Sequence, residues 1–325
     1  MSFLSTLRET SAPSVAVELA SSRVSAASVE FRNGRAVIAA HAIEPLPPGA
    51  LVPSLTASNI HNRAAVVSAL GRVFDHLGGR PRRIGLIVPD LVAKVSFVRF
   101  EQVPARQQDL DQLVRWQVRK TAPFAVDEAQ LSYTKGLRAS DGQEFVVSMA
   151  RRPIVAEYEE VCADAGAHAG IVDLATFNIV NAVLAGSPHH VTDWLLVNVT
   201  PNYASIAILR GEHLIFFRNR GPDSDGSLAD LVHQTAMYYE DRLSGGGFDR
   251  VVLAGSAAGG PGPAAEVEQA RRSLEERLAT PVENVDPRPA ADLTDRISAA
   301  PALLDALAPL IGLLVRGQEV HELSR

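Results

Sequence analysis

One order of elements occurs twice in this chain, and that repetition limits its fold more than any other feature. Ser14 to Leu19 (SVAVEL), Arg23 to Phe31 (RVSAASVEF) and Ala36 to Ile43 (AVIAAHAI) favour strands, with a Ser21-Ser22 turn and an Asn33-Gly34 hairpin signal between them. Residues that tolerate positive φ between two β-favouring runs mark tight hairpins, so the three runs predict an antiparallel meander. The order returns at Trp194 to Val199 (WLLVNV), Ala204 to Leu209 (ASIAIL) and His213 to Arg218 (HLIFFR), with turns at Pro201-Asn202 and Arg210-Gly211. A helical pattern follows each meander: Ala64, Val67, Leu70, Val73, Phe74 and Leu77 in the first half, Leu228, Leu231, Val232, Thr235, Met237, Tyr238 and Tyr239 in the second. Each pattern leads into a short apolar strand, Ile84 to Val88 and Val251 to Ala254.

A duplicated meander, helix and strand is the plan of the ribonuclease-H-like fold. Two copies face to face give the α/β, two-lobed architecture of actin, Hsp70 and the sugar kinases. The turn after the first strand of each lobe then points into the cleft, where backbone N–H groups can hold phosphates. A segment outside this plan lies between the halves. Ala93 to Phe100 reads as a strand, Ala105 to Thr121 as a helix with Leu110, Leu113, Val114, Trp116 and Val118 on its apolar side, and Ala129 to Leu137 and Glu144 to Ala150 as strands joined at Asp141-Gly142. Trp116 is expected in the core with its apolar neighbours, the alternative being an anchor that faces a partner. A helix from Ile154 to Ala165 stops at Gly166, and Leu174 to Leu184 reads as a helix crossing between lobes. The expected parts are a first lobe (1–92), a small strand-helix-strand-strand insert (93–170), a connecting helix (171–190), a second lobe (191–298) and a C-terminal interlobe helix (299–325).

Composition removes several classes of function. With 325 residues, 46% of them hydrophobic, the chain can bury more than one core. A net charge of -6 is a poor match for nucleic acid. The single cysteine, Cys162, excludes an internal disulfide and a multi-thiolate zinc site, as expected of a cytoplasmic protein. Met1 to Pro13 holds no apolar run of signal-peptide length, and Ala299 to Val315 is shorter than a membrane span and carries Asp305 and two prolines. His189-His190 sits beside Pro188 without further metal ligands nearby, and Arg80 to Arg83 (RPRR) reads as a solvated turn before a strand.

Four segments together carry a family resemblance: SVAVELASSRVSAASVE, PARQQDLDQLVRWQVRKTAPFAVDEAQLSY, AGAHAGIVDLATFNIVNAVL and LAPLIGLLVRG. Over nearly its full length the chain resembles PilM, the cytoplasmic actin-like component of type IV pilus assembly. The insert is the most specific part, where a tryptophan-bearing helix leads to Ala122-Pro123-Phe124 and the acidic Asp127-Glu128. The resemblance implies a scaffold of the inner-membrane assembly platform, held at the membrane through its partner and associated with twitching motility. It implies a groove of the first lobe and insert, around Ala93 to Phe124, that binds the N-terminal cytoplasmic peptide of a PilN-like membrane protein. Other platform proteins and motor ATPases are further expected partners, and no nucleic acid is. A GspL-like type II secretion scaffold and a competent actin-like ATPase or kinase are the alternatives.

The resemblance also implies a cleft for ATP with Mg²⁺, and here the chain departs from the family. Family first loops read approximately D-I-G-S-S-S-V-K, against Glu18-Leu19-Ala20-Ser21-Ser22-Arg23-Val24-Ser25. Glu18 keeps a carboxylate one methylene longer, Ala20 replaces a glycine that lets phosphate approach the backbone, and Ser25 replaces a charge-balancing lysine. Arg23 is the substitute cation. In the second loop Asn198, Val199 and Thr200 stand where the family has D-I-G, and Pro201 follows. Asparagine cannot serve as a base or neutralise Mg²⁺, and proline offers no N–H. The third motif keeps one glycine, Gly255, before Ser256. The residues offered to a nucleotide are therefore Glu18, Ser21, Ser22, Arg23, Asn198, Asn202, Gly255 and Ser256. No residue is assigned to catalysis or as a metal ligand, and binding is a better expectation than hydrolysis.

Overall fold

A computed structural model describes residues 13–187, 192–221, 228–255, 261–295 and 297–316. Ser256, the His189-His190 pair and Gly259-Gly260 lie outside the described residues.

The first meander is β1 (Val15–Leu19), β2 (Arg23–Arg32) and β3 (Arg35–Pro45), followed by α1 (Arg63–His76) and β4 (Arg83–Val88). Asn33 and Gly34 both take positive φ, 53° and 80°, which gives the hairpin a turn matched to the twist of its strands. Asn62 caps α1 by accepting from the Ala65 N–H at 3.0 Å, and the helix buries Val66, Ala69, Leu70, Val73 and Phe74. The second meander is β9 (Asp193–Val199), β10 (Ala204–Arg210) and β11 (His213–Arg220), followed by α5 (Leu228–Leu243) and β12 (Arg250–Ala254). Between the two copies lie β5 (Ala93–Phe100), α2 (Gln107–Val118), β6 (Ala129–Ala139), β7 (Gly142–Arg151), α3 (Arg152–Asp164), β8 (His168–Leu174) and α4 (Ala175–Gly186). The chain ends with α6 (Pro261–Leu278), β13 (Val282–Asn284), β14 (Asp292–Leu293) and α7 (Pro301–Val315).

The duplication holds for five strands of each sheet, with β14 added at the edge of the first. The first sheet runs β14-β3-β2-β1-β4-β8 and the second β11-β10-β9-β12-β13. In each, the first strand pairs antiparallel with the second and parallel with the strand after the helix. Register carries the repeat to single residues: Glu18 faces Ser25 across the first hairpin, and Asn198 faces Ser205 across the second. The fold is the α/β, two-lobed actin-like one.

Helices α1 and α3 cover one face of the first sheet, and α7 covers the other. Helices α5 and α6 cover the outer face of the second sheet, and α4 its inner face. Helices α4 and α7 therefore lie between the sheets, and they pack so closely that a Cβ on Gly312 would fall 1.7 Å from the Asn178 carbonyl oxygen.

The insert is a β5-β7-β6 sheet with Leu110, Val114 and Val118 of α2 packed on one face. Its expected end at residue 170 falls inside β8, which pairs in parallel with β4 of the first sheet. Both α3 and β8 thus complete the first lobe, because their apolar residues Tyr158, Val161, Cys162 and Ala169 belong to its core. Trp116 is not in the core; it is 59% exposed, because Leu110, Val114 and Val118 already present the buried stripe of α2. The insert also touches the second lobe: Val95 and Phe97 pack with the Leu214 and Phe217 cluster.

Candidate functional site

The three loops singled out from the sequence meet in one cleft between the lobes. It has a volume of about 580 Å³, including space open to solvent, and is lined by Glu18, Ser21, Ser22, Arg23, Asn198, Thr200, Gly255 and Asp305 among others. Asn202, although beside this loop, is not part of the lining.

Glu18, one residue before the end of β1, lines the cleft and is only 7% exposed. Its Oε2 accepts from Arg23 Nη2 at 3.2 Å, and Arg23 Nε donates to Ser25 Oγ at 3.0 Å. Burial pushes the Glu18 pKa up, Arg23 opposes this, and the nearby Asp305 and Asp90 carboxylates add to the rise. The N–H of Ala20 donates back to the Arg23 carbonyl at 3.0 Å, closing the turn on itself.

The second loop is also internally satisfied. Thr200 N–H donates to the Tyr203 carbonyl at 2.8 Å, and Tyr203 N–H donates to Thr200 Oγ1 at 3.0 Å. Buried Asn198 points at α4, where its Nδ2 donates to Thr176 Oγ1 at 2.9 Å. Thr176 leads to Asp90, in the single 3-10 turn Asp90–Val92 between β4 and β5. Fully buried Asp90 accepts from Thr176 N–H at 3.0 Å, from the Thr176 hydroxyl and from Ser205 Oγ at 2.6 Å. Its backbone carbonyl accepts from Asn219 Nδ2 at 3.1 Å. Burial raises the Asp90 pKa, and the bonds from Ser205 and Thr176 partly counter it.

The third loop begins at Gly255, whose φ of +117° suits glycine and whose Cβ, if present, would fall 1.9 Å from the Val199 carbonyl oxygen. Glycine is required here by the neighbouring strand end. Its N–H donates to Asp305 Oδ1 at 2.8 Å, so a carboxylate from α7 holds this amide.

Sequence reasoning missed Asp90, Thr176, Ser205 and Asp305. Asp305 left a signal, a lone acid in an Ala- and Leu-rich helix; Asp90 left a fainter one, an acid just past the end of an apolar strand.

The fold is one that houses a nucleotide between its lobes, so the fit of ATP with Mg²⁺ can be tested on these contacts. A metal-bound triphosphate requires free acidic oxygens for the metal and free N–H donors for the phosphates. Here the Glu18 carboxylate holds a guanidinium, the Gly255 amide holds a carboxylate, the Ala20 and Thr200 amides face their own turns, and Pro201 has no N–H. Among the described residues no group of three or more His, Cys, Asp or Glu is arranged to hold a metal ion. A metal-bound triphosphate would have to displace the Arg23 pairing of Glu18 and the Asp305 bond to Gly255 to use these groups.

A family model described as type IV pilus assembly protein PilM matches residues 16–241, well over half of the chain. Among solved structures the chain is similar to one described as a PilM-PilN type IV pilus biogenesis complex, at 16% identity and a TM-score of 0.77, covering 96% of this chain and 99% of that one. A Bacteroides thetaiotaomicron protein with an actin-like ATPase fold is 10% identical with a TM-score of 0.49, covering 90% of this chain and 96% of that one. The cytoplasmic domain of EpsL, from the type II secretion system of Vibrio cholerae, is 8% identical with a TM-score of 0.46, covering 74% and 81% respectively. No curated protein matches the sequence.

Proposed function

Because the chain belongs to the PilM family of type IV pilus assembly proteins, we propose that it is a scaffold of the pilus inner-membrane platform that receives the N-terminal cytoplasmic peptide of a PilN-like membrane protein. The observation that carries this reading is the likeness to a PilM-PilN complex over 96% of the chain, a span that takes in the insert. The peptide would lie where the insert meets the first lobe, a junction marked by Arg151, which donates to Glu128 at 2.8 Å and to the Thr56 carbonyl at 2.9 Å. Exposed Val52, Val103 and Trp116 offer apolar contacts on the two parts. A solvent-facing tryptophan is the kind of anchor that dominates binding energy once a partner covers it. On this reading the chain is cytoplasmic and peripheral, tied to the inner membrane through its partner; among the described residues no helix is long and apolar enough to cross a membrane. Other platform proteins and motor ATPases are its further expected partners.

Hydrolysis is no part of this function. Asn198 can neither accept a proton as a base nor neutralise a metal, and its amide is engaged with Thr176. Calorimetry of the full chain against a synthetic N-terminal PilN-like peptide, with and without ATP and Mg²⁺, tests the proposal. Binding should be measurable, and Trp116→Ala should weaken it by roughly tenfold or more. Absent peptide binding together with steady ATP turnover would reverse the reading.

A further inference from the structure

We infer that this cleft is closed by the chain's own side chains: Arg23 and Asp305 occupy the groups that a metal and a phosphate would need, and Asp305 with Asp90 holds the lobes together as one rigid body without nucleotide. The inference concerns the lobes themselves and does not depend on the peptide partner.

The contacts have a common geometry. Asp305 belongs to α7, which lies on the first sheet, and it reaches across to Gly255 at the end of β12 in the second sheet. Asp90 opens the 3-10 turn after β4; its carboxylate accepts from Ser205 on β10, while its carbonyl accepts from Asn219 on β11. Thr176 of α4 joins Asp90 to Asn198 of β9. These bridges start on α7 and on the turn after β4, with Thr176 of α4 as a link, and end on three strands of the second lobe and on the loop after β12.

Every acidic group in this set is buried and hydrogen-bonded, so a partial opening that broke these bonds without admitting water would leave carboxylates or their donors unpaired, and only a wide opening could replace the bonds with water. A buried donor or acceptor that loses its partner is penalised far more than the bond itself is worth. Apolar contacts act in the same direction. Phe177 on α4 meets Phe217 on β11 with ring centroids 5.3 Å apart, and Val95 and Phe97 wedge the insert against the same cluster. A nucleotide-gated cleft needs two arrangements of similar free energy, each with satisfied polar groups. This one satisfies its groups in the closed arrangement by internal pairing.

Spin labels on cysteines introduced at the exposed positions Asp75 on α1 and Glu276 on α6 would measure the distance between the lobes in the full chain. Buried Cys162 need not be removed. Pulsed dipolar spectroscopy should give one narrow distribution, unchanged by millimolar ATP with Mg²⁺, and the melting midpoint should move by less than about 2 °C on the same addition. Asp305→Asn keeps the acceptor for Gly255 and should keep the narrow distribution, whereas Asp305→Ala with Asp90→Ala should broaden or lengthen it. A broad or two-peaked distribution in the unsubstituted background, a shift on adding ATP with Mg²⁺, or a double variant that stays narrow would overturn the inference. Should the double variant not fold, the labelled parent with and without nucleotide decides the matter.

Discussion

Replacing Gly312 by alanine tests the packing that brings Asp305 to the cleft. A Cβ there would lie 1.7 Å from the Asn178 oxygen, 2.6 Å from its carbonyl carbon and 3.0 Å from the Ala182 nitrogen. All three are backbone atoms of α4, so no rotamer change can relieve the clash and the helices must separate by roughly 1.5 Å, given ordinary contacts above 3 Å. Separation loosens Leu310, Ile311, Leu313 and Leu314, each at most 1% exposed. Overpacking costs about 1–3 kcal/mol in general, and a rigid obstacle puts this site at or above the upper end. Alanine regains about 1 kcal/mol over glycine in a helix, leaving a net loss of roughly 2–3 kcal/mol. At about 2–4 °C per kcal/mol for large domains, calorimetric melting should fall by about 4–12 °C. Gly71→Ala in α1 is the control, because nothing lies within 4 Å of the added carbon there. The same helix preference should then act alone and raise the midpoint by about 2–4 °C. Equal responses from the two variants would refute the close approach of α4 and α7.

Cys162 is fully buried, and burial pushes its thiol up to about 12, so it should resist iodoacetamide in the native protein and react only on unfolding; rapid native labelling would contradict its place in the core. Acrylamide should quench the fluorescence in two components, from Trp116 at 59% exposure and Trp194 at 1%, and Trp116→Phe should leave only the resistant one; a single accessible component afterwards would contradict the burial of Trp194. Burial raises the Asp90 pKa in the folded state, so its contribution is full below the unfolded value near 4 and is lost as pH rises through the folded value. Asp90→Asn cannot titrate, so its stability relative to the parent should rise as pH increases from about 4 in urea unfolding series, and parallel pH curves would remove the argument.

The lobes were legible in the sequence because each carries its own instructions locally. Asn33-Gly34 fixes a hairpin, and Leu70, Val73 and Phe74 fix a helix face, without reference to distant residues. The end of the insert was not legible. Helix α3 and strand β8 look much like the insert's own elements, and only the pairing of Arg83 to Val88 with His168 to Leu174 assigns them to the first lobe. Trp116 failed for a related reason: helical periodicity names an apolar side, but three smaller residues already fill the sheet's capacity on that side.

The cleft shows a deeper limit. Glu18 and Asn198 were found because they stand where the resembled family carries its loop aspartates, and the structure pairs each with a serine across its hairpin. Arg23, the cation beside Glu18, was also within reach of the local pattern, but the partner of Asn198, Thr176 on α4, was named by no local pattern. Gly255 shows why the residue alone was ambiguous. A glycine after a strand admits either a phosphate or a neighbouring backbone, and the sequence carries the same letter for both. The Val199 carbonyl at 1.9 Å from its absent Cβ accounts for the glycine, and the Asp305 carboxylate accounts for its amide. With both of its features explained within the chain, this glycine no longer argues for a bound nucleotide, and the weight of the functional reading moves from the cleft to the insert.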